Sequence, residues 1–241
     1  MRIKNKVEDI NYDAIQKFYQ HRADRFNEQN PYSVTMLQDD NPALVEERNR
    51  VEVEKLLPLL CLDSDSKVLD LACGVGRWLD ALPETISSYC GIDFSPELIE
   101  IAENRNNRKN ARFMLGLVTE ADKLLTRDKF NRILMLGFLH YLNESDINKM
   151  LEQIPSLCEN HAILCIRTTI GLSERLTLKD FYSEELKENY NAIYRTRDEF
   201  MTLFERTLLK EGFMIREQDF MFPSNLNNRA ETAQYYFIFE R

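Results

Sequence analysis

The stretch Lys67-Val68-Leu69-Asp70-Leu71-Ala72-Cys73-Gly74-Val75-Gly76-Arg77-Trp78 decides the fold, because it reads as a short buried strand running into a glycine turn that opens a helix. Val68, Leu69 and Leu71 supply the apolar strand, while Gly74 and Gly76 lack the Cβ atoms that would keep a ligand from the backbone. Asp70 falls at the carboxyl end of the strand, in the crevice where open α/β sheets bind ligands. Further on, Gly91-Ile92-Asp93-Phe94-Ser95 forms a second apolar strand ending in an acid, and a helical pattern starts at Pro96. An acidic side chain there can accept hydrogen bonds from both hydroxyls of a ribose. Together the two segments mark a nucleotide-binding junction.

Outward from this junction the chain alternates. Strands are predicted at residues 67–71, 88–93, 112–115, 132–136 and 162–168, with helices at 76–82, 96–104 and 144–157. Such alternation implies right-handed βαβ units, an α/β class with a mostly parallel sheet and helices on both faces. Of only seven glycines, Gly74, Gly76, Gly91, Gly116 and Gly137 lie at or beside predicted strand ends. Before the alternation, residues 11–27 and 43–60 are predicted helices, joined by a polar loop that holds Asn30-Pro31-Tyr32 and Asp39-Asp40-Asn41-Pro42. After it, residues 168–197 show neither clean period. A helix at 198–210 then leads through Gly212 to strands at 213–222 and 233–240, with a hairpin loop at 223–228. The expected organisation is one domain over 1–241: a helical cap at 1–60, a nucleotide-binding core at 61–168, an insertion at 169–197, and a closing helix and hairpin at 198–241.

Composition narrows the function classes. With 241 residues, 44% of them hydrophobic, the chain can bury a full core without metal or disulfide staples. The net charge of −9 argues against unaided nucleic-acid binding, which depends on neutralising phosphates. Arg105, Arg108, Lys109 and Arg112 begin at a predicted helix end, where cations favour the dipole. No apolar run reaches membrane length and the amino terminus lacks a signal-peptide pattern, so no membrane is expected and a cytoplasmic location is. Cys61, Cys73, Cys90, Cys158 and Cys165 lie mostly in apolar segments at no metal-ligand spacing, so neither a metal nor a disulfide is expected.

A dinucleotide fingerprint wants a third glycine where this chain has Leu79. The segment instead resembles the first motif of the class I S-adenosylmethionine (AdoMet) dependent methyltransferases, and Gly91-Ile92-Asp93-Phe94-Ser95 resembles their second. The resemblance implies a Rossmann-like seven-stranded sheet with an antiparallel last strand, AdoMet as cofactor and S-adenosylhomocysteine as product. Carried over, the methionine portion of the cofactor falls on Asp70, Ala72, Gly74 and Gly76 and the ribose on Asp93, with Phe94 beside it. Leu117 and Val118 would flank adenine, and Leu136 and Gly137 would line the methionine portion. Ala72 stands where the family usually has a glycine; alanine avoids positive φ, so a small shift of the loop is expected. The run 18–26 resembles a lid helix, in which Tyr19 could face the sulfonium and Arg22 could pair with the methionine carboxylate, although an ordinary amphipathic helix explains the same residues. Tyr32 and Trp78 are further aromatic candidates, Trp78 as core.

The resemblance also places the chemistry. His140, after the fourth strand at 130–137, is the candidate general base for a hydroxyl acceptor, or else a histidine packed beneath the lid. His21 and His161 have weaker claims. Arg167, Tyr190, Tyr194 and Arg195 are candidate contacts for a polar or anionic acceptor such as a sugar, a nucleotide-linked sugar or a carboxylate. The fourth strand lacks the Asp/Asn-Pro-Pro-aromatic signature, a Pro-Cys nucleophile and a carboxylate cluster for a divalent metal. The expected partner is therefore a small-molecule acceptor, its hydroxyl preferred over an amine. The alternatives are a protein or RNA methyltransferase acting with a partner, or a non-catalytic AdoMet-binding protein. The acceptor atom and oligomeric state stay open.

Overall fold

The computed structural model describes residues 1–37, 41–227 and 229–241. Asp39 and Asp40 of the polar loop and Asn228 of the hairpin loop lie outside the described residues.

A seven-stranded sheet carries the molecule, with strands in the order β4-β3-β2-β5-β6-β10-β9. Its strands are β2 (Lys67–Leu71), β3 (Ser88–Asp93), β4 (Ala111–Leu115), β5 (Phe130–Leu136), β6 (Cys158–Gly171), β9 (Met214–Phe220) and β10 (Thr232–Glu240). The pairs from β4 through β6 are parallel, and β10 runs antiparallel between β6 and β9. Val68, Leu69 and Leu71 are all fully buried, as a central parallel strand covered on both faces requires. Because chain order reverses on either side of β2, the crevice at its carboxyl end is the ligand-binding position of the fold.

The helices are α1 (Tyr12–Asp24), α2 (Ser33–Met36), α3 (Pro42–Leu56), α4 (Arg77–Ala81), α5 (Pro96–Arg105), α6 (Ala121–Leu124), α7 (Glu144–Leu157) and α8 (Arg197–Arg206). Their starts follow from local chemistry. Asn11 accepts from the Asp13 and Ala14 amides, Asn41 and Ser95 cap helices that open on proline, and Thr196 with Glu199 forms a capping box.

Two segments depart from the sequence expectation. Residues 168–197 continue β6 to Gly171 and then fold into an antiparallel hairpin of β7 (Leu176–Ser183) and β8 (Glu188–Tyr194). The cap is also not wholly helical: β1 (Arg2–Lys4) pairs with β7, giving a second sheet in the order β1-β7-β8. That sheet roofs one end of the main cavity, to which it supplies Leu176, Leu178, Phe181, Ser183, Tyr190 and Tyr194. Among the described residues no helix is long and apolar enough to cross a membrane.

Candidate active site

A cavity of about 700 Å³ opens over the carboxyl ends of β2, β3 and β5 and continues beneath the β1-β7-β8 sheet. That volume is in the range of small-molecule and cofactor sites. Its two ends have different chemistry.

At the first end, Asp93 joins the two sequence motifs. Its Oδ2 accepts the Gly74 N–H at 2.8 Å and its Oδ1 accepts the Ser95 N–H at 3.0 Å. Burial pushes its carboxyl up to about 6 against these amides. Asp70 accepts the Tyr89 hydroxyl at 2.8 Å, and burial raises it to about 7. Ala72, Cys73, Gly74, Phe94, Leu117, Val118, Leu136 and Gly137 line the same end, with Leu117 at the half-exposed rim.

The glycine turn corrects two expectations. Ala72 holds a left-handed conformation, φ 58°, so the loop does not shift to spare it. That conformation costs an alanine about 1–2 kcal/mol. The loop is clamped on both sides, by the Cys73 N–H on the Ile92 carbonyl at 3.0 Å and by Asp93 on Gly74. Gly76 does not line the cavity: it caps α4 at φ 73°, and a Cβ there would sit 3.1 Å from the Phe113 ring. Its role is to let α4 start beside that ring. Gly74 does line the cavity, and a Cβ on it would meet Thr35 of the cap at 2.6 Å, so the cap rests on the glycine turn.

The lid residues divide. Tyr19 is buried against the edges of Phe94 and Tyr141, with ring centroids 5.9 and 5.6 Å away, and lines the cavity; burial raises its hydroxyl to about 12. Arg22, read as a partner for a carboxylate, instead donates to the Ser33 and Val34 carbonyls and does not line the cavity. It fastens α1 to α2. Tyr32 also lies outside the cavity, donating to Asp80 at 2.8 Å beneath Arg105.

His140 lies between the two ends. It is 6% exposed, tilted against Tyr141 at 4.1 Å, and its Nδ1 has no hydrogen-bond partner. Burial, then Arg167 and Arg195, lowers the imidazole to about 3, so it is neutral at physiological pH. His21 is exposed and paired with Glu188 at 2.6 Å, and His161 is exposed on β6.

Beyond His140, Tyr190 and Tyr194 line the cavity, with the Tyr190 hydroxyl 2.8 Å from that of Tyr141. Arg167 lines it as well. Arg195 does not: it is fully buried, bridges to Glu144 at 2.6 Å and donates to the Leu142 carbonyl at 2.8 Å, so it secures the turn after β5 and touches no acceptor space. The Arg105–Arg112 cations are structural too. Arg105 pairs with Asp80, Arg112 pairs with Asp128, and Arg108 donates to the Leu79, Leu82 and Pro83 carbonyls.

Glu52 of α3 escaped the sequence reading. It is fully buried, lines the cavity, and holds Arg77 at 2.6 Å, the Trp78 indole N–H at 3.0 Å and Arg167 at 3.1 Å. Burial works against its charge, but Arg167 and Arg77 keep it at about 2. Trp78 is core, as expected. Glu52 sits among valines in an amphipathic pattern and its partners are distant in sequence, so only a buried-acid position inside an apolar stripe could have flagged it.

A family model described as a methyltransferase domain matches residues 68–161, the segment that contains both acidic strand ends and His140. That match supports, over this segment, the resemblance of the two motifs to the class I S-adenosylmethionine-dependent methyltransferases. The phosphoethanolamine N-methyltransferase 1 of Arabidopsis thaliana is 29% identical over 205 residues, covering 81% of this chain and 40% of that protein. A malonyl-[acyl-carrier protein] O-methyltransferase of Acetivibrio thermocellus is 29% identical over 113 residues, 42% of this chain and 37% of its own. The chain spans less than half the length of the curated relatives it matches. Among solved structures, the phosphoethanolamine N-methyltransferase 1 of Haemonchus contortus, in complex with phosphoethanolamine and S-adenosylhomocysteine, superposes with a TM-score of 0.73 at 17% identity. The match covers 95% of this chain and 48% of that one. A SAM-dependent methyltransferase from Leishmania major gives 0.65 at 13% identity over 92% of this chain and 82% of its own. Both share the fold.

AdoMet is the cofactor of such a methyltransferase, and the first end of the cavity fits it. A buried carboxylate at the end of β3 suits a ribose, the Ala72–Gly74 backbone lines the space beside it, and apolar Leu117 and Val118 suit a purine face.

Proposed function

We propose that the chain transfers a methyl group from AdoMet to a hydroxyl of a small polar molecule held beneath the β1-β7-β8 sheet. The observation that carries this reading is the single cavity joining the Asp70 and Asp93 end to His140, Arg167, Tyr190 and Tyr194. When bound, AdoMet supplies an electrophilic methyl group on sulfur. What remains for the protein is to align the accepting atom, exclude water and take up a proton.

His140 is assigned the last task. A neutral imidazole can accept the hydroxyl hydrogen. As the oxygen gains a methyl group, its proton becomes far more acidic than that of an alcohol, so even a weakly basic imidazole takes it. Tyr19 and Tyr141 close the space around this point and keep it dry.

The surroundings favour a hydroxyl over an amine, the alternative acceptor. His140, neutral and lining the cavity, offers the proton acceptor that a hydroxyl needs and that an already neutral amine does not need before it attacks. The roof also favours a small acceptor over a protein or RNA.

Incubation with AdoMet and a panel of sugars, sugar phosphates, hydroxy acids and primary amines, read by mass spectrometry, tests this assignment. Methylated hydroxyl products are expected. Products formed only from amines would replace the hydroxyl reading with the amine one.

A further inference from the structure

Strands β6 and β10 run on past the end of β5. The pairing of β5 with β6 ends at Leu136 and Arg167, whereas β6 and β10 stay paired as far as Gly171 and Thr232. This extension has two unlike faces, because side chains alternate along a strand. One face carries Thr168, Ile170 and Tyr235, all buried, with Ile170 and Tyr235 in the apolar core. The other carries Arg167, Thr169, Gln234 and Thr232, and all four line the cavity. We propose that this polar face binds a polyhydroxylated acceptor, a sugar or cyclitol ring, with Gln234, Thr169 and Arg167 holding hydroxyls other than the one that is methylated. The proposal rests on the reading of the cavity as the acceptor site of a hydroxyl-methylating enzyme.

Buried polar groups in a folded chain normally find partners. Here the Gln234 Oε1 and the Arg167 Nε are buried without a hydrogen-bond partner, as is the His140 Nδ1, and all three residues line this one cavity. Thr169 and Gln234 face each other across the two strands, which brings their Cβ atoms to about 5 Å. Arg167 follows on the same face, about 7 Å along β6. Thr169 and Gln234 are only partly buried, in contrast to the closed opposite face. Arg167 is fixed by Glu52, 3.1 Å from its Nη2, which leaves Nε for a ligand. Its Nη1 lies 2.6 Å from the place a Cβ on Gly137 would take, so the polar face begins beside the turn that carries His140.

The pattern of donors and acceptors selects the ligand. The arginine Nε only donates, whereas the glutamine amide and the threonine hydroxyl both donate and accept. A carboxylate or phosphate only accepts, so it leaves the Gln234 Oε1 unmet. An ammonium only donates, so it leaves the Arg167 Nε unmet. Either way a buried polar group stays desolvated without a partner. A hydroxyl does both, and neighbouring hydroxyls on one ring satisfy both atoms. The roof completes the match: Leu176, Leu178 and Phe181 line the same cavity and suit the apolar C–H face of such a ring.

Saturation-transfer NMR on protein saturated with S-adenosylhomocysteine tests this, with glucose, myo-inositol, cyclohexanol, ethanolamine and acetate as probes. Glucose or myo-inositol should bind saturably. Cyclohexanol, a ring of similar size with a single hydroxyl, should bind at least tenfold more weakly. Gln234→Leu should weaken polyol binding at least tenfold, while Arg206→Gln, exposed on α8, should not change it. Retained affinity for S-adenosylhomocysteine certifies the fold of each variant. Where Gln234→Leu loses that affinity, Thr169→Val decides, with weakened polyol binding again expected. The site is overturned, and the methyltransferase reading left standing, if neither polyol binds. The same holds if cyclohexanol, ethanolamine or acetate binds as tightly as the polyols, or if both variants bind polyols as wild type does. Absence of S-adenosylhomocysteine binding in wild type overturns the methyltransferase reading instead.

Discussion

Ala72 sits in the glycine turn at φ 58°, where a side chain is strained and a glycine is not. Ala72→Gly should raise the unfolding free energy by about 1 kcal/mol, measured by urea denaturation; a loss of stability would contradict the left-handed backbone. The residue identity was plain in the sequence, but its conformation was not, because the clamp from Ile92 and Asp93 comes from the neighbouring strand. Asp93 itself was legible from its place at a strand end. Asp93→Ala should weaken S-adenosylhomocysteine by about 1–3 kcal/mol, since ribose hydroxyls lose their acceptor; equal affinity would remove the ribose assignment. For His140→Ala we expect turnover to drop roughly a hundredfold with cofactor affinity kept, whereas full activity would leave the imidazole only a packing role.

Elements carry the next level of the account. Strands β2 and β3 and helix α7 match the sequence reading residue for residue, because their apolar patterns are uninterrupted. The β7–β8 hairpin was unreadable for a physical reason: the register shifts between Leu178 and Phe181, and Asp180 has φ 45°, so the alternation that marks a strand breaks midway. Arg22 and Arg195 were legible as basic residues near the site, but not as donors to backbone carbonyls, since their partners are set by how the cap and the β5 turn pack. Glu52 is the tie between elements, joining α3 to α4 through Arg77 and to β6 through Arg167. Glu52→Ala leaves two buried guanidiniums without their carboxylate, and should destabilise the fold by about 3–5 kcal/mol in denaturant melts. A change below about 1 kcal/mol would mean that water already screens the network.

At the scale of the molecule, the parallel sheet places two acids of raised proton affinity at one end of a roofed cavity and a neutral histidine at its middle. On the ribose assignment, Asp93 has to be ionised to accept from both hydroxyls, and burial raises its carboxyl to about 6. Cofactor affinity should therefore fall as pH drops from 8 through 6. Asp70 titrates nearby, so the comparison with Asp93→Asn isolates the contribution: the variant should bind more weakly and show a flatter profile. Identical pH profiles would separate Asp93 from the ribose. The claim beneath all of this is that the glycine turn holds AdoMet and not a dinucleotide. Calorimetric titration of the purified chain at pH 8 with S-adenosylhomocysteine, and with NAD in a parallel cell, tests it directly. The account predicts saturable one-site binding of S-adenosylhomocysteine and none of NAD; binding of NAD alone, or of neither, would contradict it.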